Sequence, residues 1–168
     1  MPPADRLRRK LTVRAHGRTL VLVKRAEESG EHVVQKALLW TLYLPRYPGL
    51  RVEQALPFPS RFKPDLYAPD ATGRAAAFWG ECGATSREKL GRLLRDHPAT
   101  HFVFSKWDVS LHHFAAAALI DDALDGVRRR APVELVRVPA EAAEWFAGPE
   151  PEVDADALEW RRWAPGGS

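Results

Sequence analysis

Two carboxylates frame the chemistry this chain could perform. Asp65 follows a proline in Lys63-Pro64-Asp65, and Glu81 stands sixteen residues later within Phe78-Trp79-Gly80-Glu81-Cys82-Gly83. If the two segments pair as an antiparallel hairpin, the start of the first strand meets the end of the second, and both acids reach one end of the sheet. Two carboxylates and a backbone carbonyl, such as that of Cys82, make an all-oxygen site suited to Mg2+ or Mn2+. An ion held there would polarise a phosphate oxygen and lower the pKa of an attacking water. Plainer roles exist for the same residues. An aspartate after proline also serves as a turn or strand-entry residue. Glu81, inside an apolar strand, must find a cation, a metal or a proton if that strand is buried.

Other chemistries have less support. Cys82 has no neighbouring histidine in sequence and reads as a small buried hydrophobe. His112 and His113 are general acid or base candidates, but adjacent helical residues point about 100° apart, so only one can face a given site. Ser105 and Ser110 lack a glycine-rich elbow, and Gly80-Glu81-Cys82-Gly83 has the wrong spacing for a dinucleotide or phosphate loop. Glu159-Trp160-Arg161-Arg162-Trp163 mixes aromatic and basic groups that could stack on bases and pair with phosphates. The preceding Glu150, Glu152, Asp154 and Asp156 repel a phosphate backbone, which favours a tail anchored on the core by its tryptophans. Arg128-Arg129-Arg130 reads as a solvated run at a helix C-terminus.

The elements that would position these groups follow from periodicity. Residues 11–15 and 19–24 alternate like strands around the turn His16-Gly17-Arg18. Ser29 caps a helix from 30 to about 44, largely apolar in its second half and stopped by Pro45. Five prolines between 45 and 64 stiffen a connection in which 50–56 forms an edge strand. Strands at 65–68 and 75–83 flank the turn cluster 69–73, and Thr85-Ser86-Arg87-Glu88 fits a capping box opening a helix to about 96. A continuous apolar strand at 101–107 follows, then a helix capped by Asp108 or Ser110 and running to about 130. A strand at 133–138 and a short helix at 140–147 complete the series. The expected architecture is a single α/β domain over 1–148, with a mixed sheet between helices, and a docked tail over 149–168.

Composition bounds the class. The 168 residues are 45% hydrophobic and 28% charged, ordinary for a globular protein. No apolar run reaches the roughly 18 residues of a membrane span, and the basic stretch Arg6, Arg8, Arg9, Lys10 leads into an alternating segment instead of an apolar signal core. A single cysteine permits no internal disulfide, so the expectation is a cytoplasmic protein without membrane association. Lys and Arg together number 25 against 22 Asp and Glu, a net charge of +3 that permits a nucleic-acid partner without requiring one.

The pattern Pro64-Asp65, then Glu81-Cys82-Gly83, after a first helix bearing Glu31, resembles the PD-(D/E)XK nuclease superfamily and within it the YaeQ-like branch. The resemblance spans roughly residues 10–140. It implies a restriction-endonuclease-like fold and metal-dependent hydrolysis of phosphodiester bonds in DNA, or alternatively RNA. Asp65, Glu81 and the Cys82 carbonyl would hold Mg2+ or Mn2+, with Glu31 as a further carboxylate. Glu31 equally opposes the helix dipole with no catalytic duty. The usual pattern has a lysine two residues after the glutamate; here that position is Gly83, as it is across the YaeQ-like branch. Lys89 is the best replacement, because a helix beginning at Thr85 leans its side chain back toward Glu81; Arg87 and Lys106 stand behind it. The missing lysine keeps a second reading open, a non-catalytic module of the same fold that binds nucleic acid or a protein partner.

Overall fold

The computed structural model describes residues 10–108 and 110–166. Strands β1 (Lys10–Ala15) and β2 (Arg18–Val23) form an antiparallel hairpin that is a small sheet of its own. Six further strands make the main sheet in sequence order: β3 (Arg51–Val52), β4 (Leu66–Pro69), β5 (Ala76–Cys82), β6 (His101–Trp107), β7 (Val133–Val138) and β8 (Glu159–Trp163). The pairs β5–β6 and β6–β7 are parallel and the other three antiparallel, so the sheet is mixed. Helices α1 (Gly30–Tyr43), α2 (Arg87–Asp96), α3 (Ser110–Leu124) and α4 (Ala142–Trp145) complete the order.

Alternation along the strands divides the core in two. Phe78, Val103, Val136 and Val138 join α1, α4 and the hairpin on one face. Trp79, Phe102, Phe104 and Leu135 join α2 and α3 on the other. Side chains that alternate about the sheet plane, with both planes covered by helices, explain the apolar runs of the central strands. The sequence expectation of a mixed sheet with helices on both faces holds.

Three boundaries differ from the sequence reading. The N-cap of α2 is Ser86, whose hydroxyl accepts from the Lys89 N–H at 3.1 Å, and not Thr85. Helix α3 ends at Leu124 because Gly126, at φ +72°, takes the left-handed turn that stops a helix. The three arginines therefore lie beyond it. Arg129 is buried and donates to the carbonyls of Leu94, His97 and Thr100, which closes the end of α2. The capping position before Ser110 and the side chain of His112 lie outside the described residues, as do the arginines at 6, 8 and 9. The C-terminal segment does more than rest on the core: it pairs with β7 from Val133↔Trp163 to Arg137↔Glu159.

Candidate functional site

Strands β4 and β5 pair antiparallel with Leu66 opposite Gly80, so Asp65 and Glu81 stand one step further along at the same end. That end is also where the parallel strands β5 and β6 finish, and ligands of open α/β sheets gather outside such carboxyl ends. A cleft of about 1040 Å³ opens there, lined among others by Glu31, His32, Asp65, Cys82, Gly83 and Lys106. Helix α1 forms one wall and the residues Ala115, Ala116 and Leu119 of α3 the other.

Asp65 is half-buried and held by two groups on the same oxygen. Its Oδ2 accepts the Cys82 backbone N–H at 2.8 Å and faces the His32 Nε2 at 3.4 Å. Burial pushes its carboxyl up, but those two partners outweigh burial and hold it below the ordinary carboxylate value. His32 is raised in turn, chiefly by Asp65, while its Nδ1 bonds to Glu28.

Glu81 is buried and points to the α2 side, as strand alternation from Trp79 requires. Its Oε1 accepts the Trp79 indole N–H at 2.9 Å and pairs with the Lys89 ammonium at 3.1 Å. Burial pushes this carboxyl up, and the charge of Asp65 adds to that; the indole and Lys89 only partly offset them. Glu81 and Lys89 thus stand behind the cleft wall, whereas Asp65, Cys82 and Glu31 line it. The Cys82 thiol is pushed well up by burial, so it is protonated and no nucleophile.

Several site residues were not singled out in the sequence. His32 and Lys36 stand four apart and so share one face of α1, with Glu28 four residues before His32 in the turn that leads into the cap, a spacing visible in the sequence. Lys36 is fully buried amid Val33, Val34, Ala37 and Leu38, and its ammonium meets both Glu28 and Glu53. A lone lysine in an apolar stripe must be paired. Glu53 takes a left-handed backbone at φ +57° and donates its N–H to the Asp65 carbonyl at 2.8 Å, which no sequence pattern announces. A chain of contacts thus runs from Glu53 through Lys36, Glu28 and His32 to Asp65. Gln35, which also lines the cleft, accepts from Ser105 at 2.6 Å and ties α1 to β6.

The donor set fits a hard divalent cation. Two carboxylates and the adjacent Cys82 carbonyl belong to one strand end, with Asp65 on the cleft and Glu81 turned to Lys89 behind its wall; burial is the main cause of the raised Glu81. Among the described residues no group of three His, Cys, Asp or Glu side chains is disposed around a single point as a metal cluster.

Fold and site together define an α/β protein with an acid-bearing cleft at the carboxyl ends of parallel strands. No family model matches the sequence, and no curated protein matches it. Solved structures do. The YaeQ protein from Xanthomonas axonopodis pv. citri is similar with a TM-score of 0.54 at 16% identity, over 84% of this chain and 78% of that one. The YaeQ protein from Pseudomonas syringae is similar with a TM-score of 0.56 at 13% identity, over 90% and 86%. The chain has the YaeQ fold.

Proposed function

We propose that the protein is a divalent-metal-dependent nuclease acting on phosphodiester bonds, in DNA by preference and otherwise in RNA. The observation that carries this reading is the position of Asp65, Glu81 and Cys82 at one strand end beside a large cleft, with Asp65 and Cys82 on the cleft itself. Bound Mg2+ or Mn2+ would supply Lewis acidity toward a phosphate oxygen and a more acidic water. The chain's own residues do the rest. Asp65 is kept ionised by His32 and the Cys82 N–H, ready to hold a cation. Glu81 lends a second carboxylate, oriented by Trp79 and Lys89, so Lys89 is a positioning residue acting through Glu81. Glu31 at the cleft wall would be a further carboxylate for the same ion.

A second reading is favoured by one feature. Gly83 occupies the position of the usual lysine with φ +87°, a backbone suited to glycine. A chain without that lysine could retain the fold and bind nucleic acid or a protein without cutting.

Calorimetric titration of Mn2+ into the wild type and Glu81→Ala, with labelled DNA and RNA incubated alongside, separates the two. The nuclease reading predicts metal binding and cleavage by the wild type and loss of both in the variant. Metal binding without cleavage selects the non-catalytic module. If neither protein binds metal, even with nucleic acid present, the acidic pair is structural.

A further inference from the structure

The three buried or half-buried lysines near the cleft have different partners. Lys36 is engaged by Glu28 and Glu53, and Lys89 by Glu81. The ammonium of Lys106 instead donates to a neutral acceptor, the Gly83 carbonyl. Lys106 reaches it because β5 and β6 run parallel with Cys82 beside Ser105, and the Gly83 N–H donates to the Ser105 carbonyl at 3.1 Å. The next residue of β6 therefore lies beside the glycine.

An ammonium carries three donors, and one carbonyl uses one of them. Lys106 lines the cleft together with Asp65 and Gly83. The missing side chain of Gly83 leaves room there: a Cβ at that position would find only the His32 Cδ2 within reach, at 4.0 Å. Burial pushes the Lys106 ammonium down from its ordinary value, and the charge of Glu81 offsets this only in part. Such a cation gains most when an anion arrives, because the low local dielectric strengthens the attraction. The cleft is also lined by Arg25 and Lys63, both exposed to solvent, and by the acids Glu31 and Asp65, so the half-buried Lys106 is the cation on its wall that gains most from a phosphate.

We propose that Lys106 is the phosphate anchor of the cleft, binding a non-bridging oxygen of a nucleic-acid phosphodiester over the space left by Gly83. This rests on the nuclease reading for the identity of the anion, and it moves the phosphate-binding cation from α2 to β6.

The test is fluorescence anisotropy of a fluorescein-labelled DNA oligonucleotide, single-stranded and as a duplex, across a salt series with and without Ca2+. Lys106→Gln retains a donor for the Gly83 carbonyl and loses the charge; Lys106→Arg retains the charge. Thermal melts of both establish that they fold. The anchor predicts about a tenfold weaker Kd for Lys106→Gln, the loss of one charge-assisted contact. It also predicts a log Kobs against log salt slope shallower by about 0.9 for duplex or about 0.7 for single strand. Lys106→Arg should keep the wild-type slope. Wild-type Kd and slope in Lys106→Gln, or a wild type that binds no DNA, would overturn the anchor.

Mn2+ titration and cleavage on the same proteins separate this from the nuclease reading. If Glu81→Ala loses metal and cleavage while Lys106→Gln behaves as wild type, the nuclease reading stands and the anchor falls. If the wild type neither binds Mn2+ nor cleaves, yet Lys106→Gln loosens DNA with the shallower slope, the anchor stands and the nuclease reading falls.

Discussion

At the scale of single residues, Glu81 opposes folding where it serves the site. Burial and the charge of Asp65 lift it above its ordinary value of 4.5, so the folded protein holds that proton more tightly than the unfolded chain. For an acid raised in the folded state, stability is lost as pH rises from the unfolded value through the folded one. At neutral pH the ionised carboxylate is therefore a net cost. Glu81→Gln removes the charge while keeping an oxygen for the Trp79 indole, and should melt above wild type near about pH 7.5, converging with it near about pH 4. Paired melts across pH check this; a variant that melts below wild type at neutral pH would show that Lys89 more than offsets the burial. Lys36 has the opposite economy. It neutralises the half-buried Glu28 and Glu53 at the cleft, and Lys36→Ala should cost about 3 kcal/mol in denaturant unfolding, because it strands two carboxylates with reduced access to water.

Elements decide where the cations can stand. Between β5 and α2 the chain must turn at Gly83, and its φ of +87° is costly for any residue with a Cβ. Gly83→Ala should lose about 1–2 kcal/mol, and Gly83→Lys about the same, since the nearest foreign atom leaves space and only the backbone objects. Equal destabilisation of the two variants in urea is the expected result; an unperturbed Gly83→Ala would mean the turn relaxes freely. The turn thus disfavours a side chain at position 83, and neighbouring elements carry cations to either side of it. The cap at Ser86 sets the start of α2 and so places Lys89 against Glu81, while parallel pairing with β6 sets Lys106 against the Gly83 carbonyl.

For the molecule as a whole, the last strand forms one edge of the sheet. β8 covers the edge of β7, and Arg137 pairs with Glu159 at 2.7 Å. Truncation after Leu158 retains Val153 and Leu158 in the core but uncovers that edge. The shortened chain should aggregate on warming at temperatures where the full chain remains clear, since an unpaired strand edge is a template for association. Light scattering during a thermal ramp measures it; an equally clear truncated protein would mean β8 is dispensable cover.

Much of this was written in local sequence. Alternation and caps place the hairpin, α1, the β4–β5 pair and the central strands, and the Pro64-Asp65 and Glu81 spacing brings both acids to one strand end, because pleat and helix periods are local properties of the backbone. What the sequence left open depended on contacts between distant segments. Only the fold turns Glu81 behind the cleft wall toward Trp79 and Lys89, draws Glu53 across to Lys36, buries Arg129 under α2 and makes the tail a strand. The choice between Lys89 and Lys106 is of the same kind. Lys89 stands six residues after Gly83 and Lys106 twenty-three, and which ammonium lines the cleft follows from strand order and from the pairing of β5 with β6.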